Sequence, residues 1–337
     1  MKKTITISIC VAVLAMIATT ANAKSWRINS DTTKKANFAD INAAMSSSDV
    51  EAGDTLYLDP GCLLTANQTV NKRVTIVGPG YLRNSAPHQG ATISGVLYLS
   101  AANAKIEGVT MTNEVNIRAQ YVTIERCRVT DAIKNNATYN SQYATIRQCY
   151  ITRIYGCGSS STYTAYWTIE NNIIQYTYTT ISNLNNPTIR NNYISNNSSS
   201  DISISSIQGG MVTNNIIINK GTKNNVWTSM TDVVINHNVT SSAEKTAYPD
   251  NLYLDSNDES VVFALEGTYD QKYQLKADSP AKGYATDGGD CGPSGGTYPY
   301  VISGLPAGYP YYTNAVIGTR AENGKINVSL NIKMQNE

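Results

Sequence analysis

The chain has 337 residues, 41% of them apolar and 15% charged, with 26 lysines and arginines against 25 aspartates and glutamates. A net charge of +1 without basic runs leaves no electrostatic footprint for nucleic acid. The 23 tyrosines and many isoleucines supply too much burial for an extended disordered chain.

Residues 1–23 read as a secretory signal. Lys2 and Lys3 form its positive region, Ile5 to Ile17 its apolar stretch, and Ala21-Asn22-Ala23 its cleavage site. The stretch is too short for a membrane span, and no later run approaches eighteen apolar residues. The mature chain is therefore expected to be exported, to the periplasm, cell surface or medium, without membrane insertion. Five cysteines then remain: Cys62, Cys127, Cys149, Cys157 and Cys291. Their odd number leaves a thiol unpaired. With no CxxC pair and only His88 and His237, no structural zinc is expected.

Residues 24–70 read as an N-terminal cap with the first strands. Within them Phe38, Ile41 and Met45 share one helical face. Residues 71–295 are organised by a repeat. Thr123-Ile-Glu-Arg-Cys-Arg-Val129, Thr145-Ile-Arg-Gln-Cys-Tyr-Ile151, Thr168-Ile-Glu-Asn-Asn-Ile-Ile174 and Thr188-Ile-Arg-Asn-Asn-Tyr-Ile194 align without gaps. Anchors at Ile106, Ile124, Ile146, Ile169, Ile189, Val212 and Val234 are spaced by about 21 residues, a solenoid period. Each copy is a short β-branched strand, a polar bend and a second apolar strand, with no helical period. Three short strands and three turns fill such a coil, which predicts an all-β, right-handed parallel β-helix.

The columns extend this prediction. The anchors and the position five residues later are expected to face the core. Glu107, Glu125, Arg147, Glu170 and Arg190, one residue past the anchors, should form an outward, solvated charge ladder. Three past the anchor come Cys127, Cys149, Asn172, Asn192, Asn215 and His237, read as an inward ladder of asparagines with free thiols above. Residues 296–337 form a C-terminal extension expected to cover the last coil. Its alternating Gly324 to Lys333 strand is paired with Ala315 to Thr319.

The copies TIENNII and TIRNNYI resemble the coils of the pectate-lyase-like superfamily of right-handed parallel β-helices. The opening segment Phe38 to Gly61 looks like its cap helix and first strand, and Tyr273 to Gly292 resembles the closing segment of many secreted bacterial members. The resemblance implies polysaccharide lyases, glycoside hydrolases, adhesins or surface proteins, and fold alone does not choose among them.

The residues offer little clustered chemistry. Acids such as Asp131, Asp201 and Asp232 are scattered singly, without the grouped aspartates of a hydrolase. Asp131, Arg153 and Tyr176 stand seven residues past three successive anchors. Arginine could neutralise a sugar acid there and tyrosine move a proton, although an Asp131–Arg153 surface pair is the simpler reading. No cofactor is expected. Asp250, Asp255, Asp258 and Glu259 leave room for a surface calcium ion but lack a calcium-loop pattern. Tyr121, Tyr143 and Tyr166 share one column three residues before the anchor and are the candidate glycan-binding surface. The expected function is non-catalytic binding of extracellular polysaccharide. The alternatives are a lyase or hydrolase acting on an acidic polysaccharide, and a structural or adhesive surface protein.

Overall fold

The computed structural model describes residues 23–81, 90–136, 138–197, 202–220, 226–242, 246–267, 269–306, 310–317, 325 and 328–334. The expected signal peptide (apart from Ala23), His88 and Asp201 lie outside them. The fold is a parallel β-helix built on sheets of ten and sixteen strands. One coil shows the plan. Strand Thr168–Glu170 joins the ten-stranded sheet, then Ile173–Tyr176 and Ile181–Asn185 join two rows of the larger sheet. The two rows fuse where Arg128–Lys134 and Tyr150–Tyr155 run through both.

Parallel pairing holds the copies in register, Ile106 beside Ile124, Ile146, Ile169, Ile189 and Val212. These anchors are fully buried, as are Ile174, Ile194 and Ile217 five residues later. The last anchor is Ile235, not Val234. Asp232 takes the left-handed corner of that coil, so its strand starts one residue later and Ile235 pairs with Val212. Val234 consequently faces outward, and Asn238 replaces His237 in the inward ladder.

That ladder fixes one turn of the later coils. Asn172, Asn192, Asn215, Asn238 and Asn251 pass an Nδ2–H to the next Oδ1, each at 2.9 Å. The same Oδ1 accepts the preceding asparagine's backbone N–H, as Asn192 does from Asn172 at 3.0 Å. Cys149 N–H donates to Asn172 Oδ1, and all five cysteines are free. Just outside the ladder, Arg126, Gln148, Asn171, Asn191, Asn214 and His237 all have φ between 52° and 59°. This column of left-handed residues turns the chain tightly enough to leave the ladder amides inside.

The N-terminal end of the core is closed by helix Ile41–Ser46, with Ile41, Ala44 and Met45 buried. Asp40 caps it through Ala43 N–H, so the helix starts after Phe38. Phe38 instead bridges to Ile28 and packs its ring 5.5 Å from Trp26. At the other end, Leu254, Val262, Phe263, Ala281 and Cys291 cover Ile173, Tyr193, Ile216 and Val239 on the outside of the larger sheet.

The chain then doubles back as a strap along the left-handed column. Gly292 N–H bonds to Asn214 O, Asn171 Nδ2 to Pro293 O and Gly295 O, Gln148 Nε2 to Pro299 O, and Arg126 Nη1 to Leu305 O. Residues 296–306 therefore lie over earlier coils and not over the last one. Gly304 permits the closest approach: with φ at 59°, an added Cβ would stand 2.3 Å from Arg126 O and the Tyr81 ring. Strands Pro310–Ile317 and Val328–Met334 pair antiparallel, Ala315 opposite Leu330.

The strap also changes the charge ladder. Glu125 and Glu170 point outward but are only 4% and 3% exposed. Tyr298 lies over Arg147 at 4.1 Å, with Glu125 between Lys105 (3.0 Å) and Arg147 (3.2 Å). Burial opposes ionisation of Glu125, yet Lys105 and Arg147 outweigh it and hold the carboxyl below its ordinary range. These carboxylates are therefore buried structural partners and not solvated scaffold.

Where strap meets first coils, buried Asp270 accepts from Ser303 N–H, and its Oδ2 shares the hydroxyl protons of Tyr81 and Tyr300, whose oxygens also lie within hydrogen-bond reach of each other. Burial raises the Asp270 carboxyl above its ordinary 3.8 against these donors.

Two outcomes follow from these contacts. Asn192→Ala removes the acceptor of two Asn172 N–H groups inside the core, and should cost about 3 kcal/mol or more in urea unfolding; a loss under about 1 kcal/mol would contradict the ladder's role. A carboxyl raised in the folded state stabilises fully below its unfolded value, and that contribution fades as pH climbs through the folded value. The melting temperature of the wild type should therefore fall relative to Asp270→Asn as pH rises from ~4 to neutrality. A difference that stays constant with pH would show that Asp270 does not titrate in this way.

Candidate functional site

The outward side of the larger sheet carries the most functional chemistry. Leu97, Val115, Ile133 and Ile154 point into the core in register, so their successors Tyr98, Asn116, Lys134 and Tyr155 form a column facing out. The guanidinium of Arg118 sits 3.7 Å from the Tyr98 ring and 4.8 Å from that of Tyr139. Two coils further on, the guanidinium of Arg153 lies 4.9 Å from Tyr155 and 5.2 Å from Tyr176. Tyr178 closes edge-on against Tyr176 at 5.5 Å. On the coil between them, Lys134 bonds Glu114 and approaches the Tyr155 ring at 5.9 Å. Burial works against the Lys134 ammonium, but Glu114 and Tyr155 outweigh it and keep it charged.

Three successive coils thus present Arg118, Lys134 and Arg153 on tyrosine faces. A cation over an aromatic ring is held by the ring's negative face; Lys134 is also paired with Glu114, whereas the charges of Arg118 and Arg153 meet only rings. Neither arginine forms an ion pair among the described residues, and neither Nε finds an acceptor. Asn116, 2% exposed, likewise has an unsatisfied Oδ1. The column therefore combines ring surface with guanidinium groups that no carboxylate neutralises, the elements that grip a sugar acid or sulfate.

Of the residues the sequence singles out for catalysis, Arg153 and Tyr176 are brought together in a ring contact. Asp131 sits in the bulge where pairing slips between Val129 and Ala132, and among the described residues it makes no ion pair with Arg153. Tyr98, Arg118, Lys134 and Tyr139 are not among the residues the sequence singles out. Their signal was the apolar residue preceding each strand member, but loops of unequal length obscure its spacing.

The Tyr121, Tyr143 and Tyr166 column forms as expected. Ring centroids are 5.0 and 5.2 Å apart with planes within 9°, and the residues are 41–50% exposed. The rings stack on one another, so edges and hydroxyls meet solvent more than faces do. All three are left-handed, with φ of 58°, 60° and 62°. Asn103, Asn186, Gly209 and Asp232 occupy the same corner in other coils. Left-handed tyrosine costs about 1–2 kcal/mol without the local hydrogen bond that helps asparagine, which the two stacking contacts offset at about 0.5–1.5 kcal/mol each.

The acidic stretch near Asp250 is committed to other contacts. Glu259 takes Tyr193 Oη at 2.6 Å and Lys220 Nζ at 2.7 Å, while Asp258 caps a short 3-10 turn through Ser260 N–H. Among the described residues no three acidic, histidine or cysteine side chains converge as metal ligands, and no helix is long and apolar enough to cross a membrane. No family model matches the chain, and no curated protein is significantly similar to it.

Proposed function

We propose that this protein is an exported, non-catalytic polysaccharide-binding β-helix of the pectate-lyase-like kind, with its ligand laid along the outward column of the larger sheet. The observation that carries this reading is the pair of guanidinium groups, Arg118 and Arg153, each held between two tyrosine rings with Lys134 on the coil between. Ring faces suit the apolar faces of sugars, and uncompensated guanidinium groups suit carboxylate or sulfate substituents. The rigid solenoid repeats these elements along one line, which matches a polymer better than a small molecule. Arg153→Ala and Arg118→Ala should each weaken polygalacturonate or dextran sulfate binding about tenfold in calorimetry. Added salt should weaken the wild type more than either variant. Unchanged affinities in both variants would place the ligand elsewhere.

A lyase acting near Asp131, Arg153 and Tyr176 is the second reading, favoured by the 5.2 Å approach of the Arg153 guanidinium to the Tyr176 ring. In that chemistry arginine neutralises the sugar acid and tyrosine moves the proton. Unsaturated uronate products, followed by their ultraviolet absorbance, should then form with the wild type and vanish with Tyr176→Phe. Products that persist in Arg153→Ala would exclude this site, and no product on any acidic polymer would retire the lyase reading.

A further inference from the structure

We infer that Tyr121, Tyr143 and Tyr166, with Thr123, Thr145 and Thr168, form a second binding strip that takes an extended β-1,4-linked polysaccharide along the solenoid axis, one sugar to each coil. The inference rests on the polysaccharide reading above and adds a location and a linkage class to it.

Three observations point there. The threonines are direct register partners on the ten-stranded sheet, two residues after the tyrosines, so two hydroxyl columns run side by side. None of these six hydroxyls is hydrogen-bonded to a described residue, although the tyrosines' neighbours Gln120 and Gln142 bond to each other at 2.9 Å. The tyrosines hold left-handed corners that asparagine, glycine or aspartate fill in other coils, so the fold itself does not call for an aromatic ring there. Strained residues that the fold does not need are a mark of surfaces that do something else.

The shape of the strip selects the linkage. The strap covers the other edge of this sheet, where Tyr298 lies over Arg147, while Tyr121, Tyr143 and Tyr166 stay exposed. Its hydroxyls recur once per coil, and the rings at 5.0 and 5.2 Å set that spacing. A β-1,4-linked chain is a flat ribbon whose sugars advance by nearly one coil spacing, so its edge hydroxyls stay in step along the strip. Successive sugars are turned over, which hydroxyl columns accommodate because each hydroxyl both donates and accepts. An α-1,4-linked chain winds into a helix and loses the register within a coil or two. The strip's six side chains carry no charge, so it needs no acidic group on the sugar.

Co-sedimentation with amorphous cellulose and with starch granules tests this. The wild type should be retained by cellulose and not by starch. Tyr143→Phe and Thr145→Val, which keep side-chain volume, should together weaken cellulose retention at least about fivefold. Their melting temperature, measured alongside, should match the wild type. Unchanged retention by the double variant, equal retention on starch, or none on cellulose would overturn the inference. If acidic polymers still bind in that case, the polysaccharide reading stands and only the strip is wrong. If no polymer binds, both fall.

Discussion

Everything in this molecule depends on the coils staying in register along the axis. Asn192, Asn215 and Asn238 each accept two N–H groups from the preceding coil and donate to the following one, so none of these coils can slip or add a residue at that turn without stranding buried polar groups. The constraint is local to one turn. The two remaining turns are free to vary in length, and the strands beside them carry cations and tyrosines on their outward faces. A rigid core turn and permissive outer turns divide structure from function within every coil.

The strap uses the same register a second time. Because Arg126, Gln148, Asn171, Asn191 and Asn214 occupy equivalent left-handed corners, their side chains and carbonyls form a regular line. The chain from Gly292 to Leu305 reads that line backwards, coil by coil, and is pinned at its far end by the Tyr81–Asp270–Tyr300 cluster. In doing so it buries the charges of one sheet edge and leaves the tyrosine and threonine columns open. The surface available to a ligand is thus set by where the strap runs as much as by the solenoid.

Much of the fold was legible in the sequence because its forces repeat. Isoleucine anchors, the Asn-Asn bends and the in-column tyrosines each mark one environment reproduced in successive coils. Legibility ended where an interaction occurs once. The strap is held through backbone carbonyls that bond side chains over a hundred residues earlier, and no periodicity announces such contacts. Asp232 shifted the last anchor because a left-handed corner, not an apolar residue, sets where a strand begins. The site was legible in part. Arg153 and Tyr176 stood out by their distance from the anchors, whereas Tyr98, Arg118 and Tyr139 meet only across loops of different length. Asp131 falls in a bulge, which a count along the chain cannot detect.

The central claim is that the outward faces of this solenoid hold polysaccharide without cleaving it. Native electrophoresis of the mature protein through gels cast with acidic and neutral polymers, then stained for polymer, tests it most directly. Retarded migration with the polymer intact is the predicted result. Free migration in every gel, or clearing along the protein band, would contradict it.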